Sequence, residues 1–138
     1  MIYVLTDLTV GGHFPTFTYM APLLANSGGF SPSAVAFLLL TLGGAGILGN
    51  IIVSRNLDRH PQASLMITFP LLAVSLLVAQ LAASFTVGAV ALCLVWGASM
   101  SATTLIFQTT VIKKAAVPDV ANSLYSAIFN VGIGGGAL

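Results

Sequence analysis

Apolar residues in this chain come in runs of about twenty, and short polar segments separate the runs. The runs cover about 2–24, 33–53, 63–83, 87–106 and 121–138, and the last is still apolar at Leu138. Between them lie Asn26-Ser27-Gly28-Gly29, the segment Ser54 to Gln62, the short Ser84-Phe85-Thr86, and a stretch holding Lys113, Lys114, Pro118 and Asp119. A helix that crosses a bilayer needs ~20 mostly apolar residues. Unbroken hydrophobicity over such lengths excludes the alternating pattern of an outer-membrane β-barrel strand. The pattern therefore predicts an all-α, polytopic transmembrane helix bundle of about five spans in one domain, the fifth incomplete.

Composition narrows the class. Of 138 residues, 57% are hydrophobic and only 5% charged, four Lys or Arg against three Asp. Ordinary soluble domains are ~25% charged, so these charges cannot cover a water-exposed surface. A soluble enzyme and a disordered segment are both excluded on this ground. A net charge of +1 offers no basic face for nucleic acid. The single Cys93 rules out an internal disulfide framework. The cations then orient the bundle. Arg55 and Arg59 fall in one loop, 54–62, and Lys113 and Lys114 in another, 109–120, while the loops on the opposite side carry none. By the positive-inside rule both charged loops and the N-terminus are cytoplasmic. Apolar sequence starts at residue 2 without a basic region or a cleavage site, so the start is not read as a secretory signal. With the last run unfinished, the expectation is a piece of a longer membrane protein.

Motifs with catalytic or cofactor chemistry do not survive inspection. Gly44-Ala45-Gly46-Ile47-Leu48-Gly49 fits G-x-G-x-x-G, but it lies inside the second apolar run and no acid occurs between Asp58 and Asp119. Small residues that let helices approach closely explain it better. Ala89, Cys93, Gly97 and Ser101 form a similar ridge at four-residue spacing, and Gly132-x-x-x-Gly136 begins another. Gly97-Ala98-Ser99-Met100-Ser101 lacks the closing Gly of a nucleophile elbow. His13, His60 and one Cys cannot supply a zinc set by their spacing. The chain is expected to be neither an enzyme nor a carrier of metal or cofactor.

Depth is more informative. His13 stands at the centre of the first run and Trp96 near the centre of the fourth; Asn130, nine residues into the fifth, is ~13.5 Å deep at 1.5 Å per residue. Polar side chains at mid-bilayer are costly and face a bundle interior or a cavity, and Trp ordinarily belongs to the interfaces. Three such groups at one depth are what a midplane substrate site requires. Equally, Trp96 could fill a packing gap while His13 and Asn130 bond neighbouring helices. Pro15 and Pro22 kink the first span, and Phe14-Pro15-Thr16-Phe17-Thr18-Tyr19 sets aromatic faces and hydroxyls beside His13, as suits a mobile cavity wall. His13, Phe17, Tyr19, Trp96 and Asn130 are the candidate substrate-cavity residues.

Ser54-Arg55-Asn56-Leu57-Asp58-Arg59 resembles the Gly-x-x-x-Asp-Arg signature of major facilitator superfamily transporters, with Ser54 in place of the leading Gly. His13 to Pro22, Gly29-Phe30-Ser31, Leu42 to Gly49, Trp96-Gly97-Ala98 and Ser126 to Leu138 resemble the drug:proton antiporter and sugar efflux branch of that superfamily. The similarity runs through essentially the whole chain and places it at helices seven to eleven of twelve. It implies a C-terminal half that works with a six-helix N-terminal half and a twelfth helix. It further implies Asp58 and Arg59 as a conformational latch, an inner-membrane location, and proton-coupled export of small sugars or amphipathic drugs by alternating access. The proton-binding residue is not named by this resemblance, because such acids often belong to the N-terminal half. The rival expectations are a non-transporting helical subunit that packs through its glycine ridges, and an inactive truncated product.

Overall fold

A computed structural model describes residues 2–57 and 60–137, with the side chain of Ala137 excepted. The described residues form seven helices and no strand: α1 (Ile2–Thr18), α2 (Met20–Gly28), α3 (Pro32–Leu57), α4 (Pro61–Leu77), α5 (Ala79–Ala82), α6 (Thr86–Lys114) and α7 (Pro118–Ala137). Two joints are bends within nearly continuous helix. Tyr19 N–H still reaches the Pro15 carbonyl, and Val78 N–H the Val74 carbonyl. Pro22 has no N–H to offer the carbonyl of Thr18, four residues back, and the break between α1 and α2 falls there. The seven helices thus make five rods, 2–28, 32–57, 61–82, 86–114 and 118–137.

The helices outrun the apolar stretches. α3 continues to Leu57 and α6 to Lys114, so the segments 54–62 and 109–120, read from polarity as loops, are mostly helical. Hydrogen bonding ends a helix, whereas apolarity only marks what its side chains touch. Pro32, Pro61 and Pro118 each open a rod, where a missing N–H costs nothing. Arg55, Lys113 and Lys114 sit in last turns and Asp119 in a first turn, each sign matching the helix dipole. Gly29, at φ 62°, ends α2, and its N–H bonds the Leu24 carbonyl.

α6 is the central post, packed on α3, α4 and α7, while α1 lies chiefly along α7. Glycines fix the two closest approaches. A Cβ on Gly97 would strike the carbonyl of Leu42, one on Gly49 the backbone of Ala98, and one on Gly46 would lie 2.5 Å from Ser101 Oγ. Positions 42 and 46 therefore climb with 97 and 101, and α3 and α6 run parallel. In the second approach Gly132 faces Val10 and the Asp7 carbonyl, and Gly136 faces the Gly11 carbonyl and Pro15, so α1 and α7 are parallel as well. Pro15 lacks the N–H that would bond Gly11, and Gly136 covers that freed carbonyl. The small-residue ridge on α6 thus serves α3, and the Gly132–Gly136 pair serves α1.

Two helices, Pro32–Leu57 and Thr86–Lys114, are long and apolar enough to cross a membrane. Only 28% of the apolar window of α3 is buried within the bundle, against 56% for α6. Several hydroxyls in these helices bond back to their own backbone, as Ser99 does to Val95 at 2.7 Å and Thr110 to Ile106 at 2.6 Å, although the buried Thr103 Oγ1 finds no partner among the described residues. That habit lets polar side chains sit in apolar helices without a cost in unmet hydrogen bonds.

Candidate functional site

The centre of the site is a hydrogen bond between residues 83 positions apart. The indole Nε1–H of Trp96 donates to Nδ1 of His13 at 2.8 Å. Trp96 is wholly buried and His13 nearly so, at 6% exposure. Position 13 reaches this contact because Val10, Gly11 and Phe14 dock on Gly132 and Gly136, which turns the neighbouring face of α1 towards α6. The two rings meet edge-on, with centroids 5.3 Å apart and planes at 86°. Phe17, one turn on, stacks on the imidazole at 5.6 Å and 25°, and Phe14 meets it edge-on at 5.7 Å. The imidazole is therefore held by one donor and two aromatic rings.

Beside this cluster opens a cleft of about 350 Å³ between α1, α3, α6 and α7. His13 and Phe17 line it, facing Asn50 of α3, Ser101, Thr104 and Gln108 of α6, and Phe129 of α7. Gln108 donates through Nε2 to Asn122 Oδ1 at 2.9 Å, and the Tyr125 hydroxyl donates to the Thr104 carbonyl at 3.0 Å. These two bonds tie α7 to α6 at the rim of the cleft. The arrangement can hold a small molecule by aromatic contact on one wall and by amide and hydroxyl groups on the other.

Of the five cavity residues expected from sequence, the structure brings His13, Trp96 and Phe17 together. Tyr19 is 69% exposed at the joint between α1 and α2. Asn130 is exposed too, and its Nδ2–H donates to the Ser126 carbonyl of its own helix at 2.8 Å. Neither lines the cleft. Asp58 and Arg59, the expected latch, lie outside the described residues. Sequence reasoning missed Asn50, Ser101, Thr104 and Gln108. The last three recur at i, i+3 and i+7 on α6, a polar stripe that could have been seen had that helix been extended beyond 106. Among the described residues, no three His, Cys, Asp or Glu side chains gather where a metal could sit.

Compared with models of known protein families, the chain matches none.

Proposed function

We propose that this chain forms five membrane spans of an efflux transporter of the major facilitator type. It would move small sugars or amphipathic drugs by alternating access, in proton-coupled antiport, from the inner membrane. One contrast carries the reading. Large apolar side chains are widely exposed, among them Leu77 at 84%, Met66 at 78% and Val87 at 77%, whereas His13, Ser75, Ser99 and Thr103 are buried. In water so apolar an exterior would aggregate; against lipid tails it is the stable arrangement. With an apolar exterior and a few polar groups buried inside, the binding chemistry falls to the centre, where the His13 cluster and its cleft lie.

In this reading the rod ends that carry charge, at 55–57, 113–114 and 118–119, face the cytoplasm, together with the starts of α1 and α4. The exposed Tyr19 and Asn130 would meet the second six-helix half, and Asp58 with Arg59 would latch it. Rocking needs both halves, so the 138-residue chain alone should not transport. The test uses membrane vesicles in which the chain is joined to the remaining helices that the resemblance implies. Proton-driven movement of a labelled sugar and of a fluorescent amphipathic cation is measured there. His13→Ala should depress export at unchanged membrane abundance. Undiminished export in His13→Ala would refute the site. Absence of any export from abundant, folded protein would favour the helical-subunit reading instead.

A further inference from the structure

We propose that His13 is a proton-binding group whose protonation breaks the contact between α1 and α6. It deepens the transport reading by naming the proton site of that same cavity, but it stands on the geometry of one hydrogen bond. An indole N–H can only donate, so the bond at 2.8 Å requires a lone pair on Nδ1 of His13, with the imidazole proton on Nε2. A proton arriving from water can be taken only by that lone pair. One O–H bond of the hydronium that delivers it breaks as the new N–H forms on Nδ1, water is released, and the Trp96 N–H stays intact. Two N–H groups then face each other across the contact, and the pair must part.

Among the described residues, the surroundings offer the imidazolium no anion. Packed against or beside His13 are Phe14 and Phe17 from its own helix, Asn50 from α3, and Phe129 from α7. From α6 come Trp96, Met100, Ser101, Thr104 and Gln108. None of these carries a charge or titrates near neutral pH. Asp7 stands nearly two turns earlier on α1, and His60 lies far away at the charged end of the bundle beside Lys114. The charged ring is therefore driven towards the cleft, where the face of Phe17 and the amide oxygens of Asn50 and Gln108 can receive it. The movement is available because Pro15 and the break at Tyr19 interrupt α1 just beyond position 13. Proton uptake and release would thus be converted into undocking and docking of α1 beside the substrate cleft.

The chain carries its own reporter, since Trp96 is the one tryptophan and His13 and His60 the two histidines. The purified full chain in lipid nanodiscs is titrated from neutral to acid pH, recording Trp emission and the indole N–H resonance. Acid should quench the emission reversibly in one step, because imidazolium near an indole is a strong quencher. The indole resonance should leave its hydrogen-bonded position in the same step. His60→Gln should keep the step. His13→Gln should abolish it, while its side-chain carbonyl still accepts the indole N–H and keeps the bundle folded. A flat titration in the wild type, a step that survives in His13→Gln, or one that disappears in His60→Gln would each overturn the proposal. Proton-driven export with a flat titration would overturn it and spare the transport reading. A clean step without export from the joined halves would do the reverse.

Discussion

α6 makes two kinds of contact. Towards α3 it presents Gly97, Ala98 and Ser101, and backbone meets backbone with no room for a methyl group. Towards α1 it presents Trp96, which touches through one hydrogen bond and one edge-on ring contact, next to an open cleft. The first contact spreads its attraction over many close atoms and fails if any is displaced. The second is concentrated in one donor and one acceptor, and can be made or broken as a unit. A rigid pair, α3 with α6, can therefore serve as the frame against which α1 moves. α1 also packs closely on α7 at Gly132 and Gly136, and α7 is in turn tied to α6 by the Gln108–Asn122 and Tyr125–Thr104 bonds.

The sharpest way to break the contrast is at Gly97. Gly97→Val puts a branched side chain into the Leu42 carbonyl, and backbone cannot step aside as a flexible side chain can. We expect a loss of about 3 kcal/mol or more, seen as loss of the folded species in detergent unfolding. Next comes Gly132→Ala, whose Cβ would lie 2.9 Å from Val10 Cβ and 3.2 Å from the Asp7 carbonyl. It should cost about 1–2 kcal/mol, and crosslinking between α1 and α7 should weaken more than crosslinking between α3 and α6.

Trp96→Phe preserves most of the packing but removes the donor. The His13 Nδ1 is left without a partner, at a cost of about 1 kcal/mol in thermal or denaturant unfolding. Labelling of a cysteine placed at position 17 should then become faster, while the α3–α6 crosslink stays unchanged. Equal loosening at both contacts would show that the bundle yields as one body. The smallest expected effect is at Gly43, which meets nothing within 4 Å. Gly43→Ala should be neutral or stabilise α3 by about 0.5 kcal/mol, because the gain in helix propensity meets no clash. A marked loss there would mean that the open side of α3 is itself a packing surface.

Much of this was legible from the chain. Run lengths of apolar residues counted the rods, because short polar segments break the apolar sequence close to where the helices end. The ridge Ala89, Cys93, Gly97 and Ser101 was visible as a small-residue stripe, since a four-residue period keeps one helix face. Depth alone put His13 and Trp96 near the same level. The limits of α3 and α6 were less legible, because Arg55 and Lys113 end a helix as comfortably as they occupy a loop. Asn130 shares that depth with His13 but points elsewhere, and Tyr19, further along the same rod as His13, points elsewhere too. Rotation about a helix axis is set by what packs on its other faces, and a one-dimensional count of depth carries no information about it.

The sequence by itself determined the all-helical class, the number of rods, and the scarcity of charge along them. Few charges and long apolar runs decide those matters locally, segment by segment. Only the tertiary structure decided that His13 meets Trp96, that Asn50 and Gln108 face the same cleft, and that Gly97 rather than Gly43 is sterically obligatory. Those outcomes depend on the register of α3 and α1 against α6. Register follows from the packing of all the helices together.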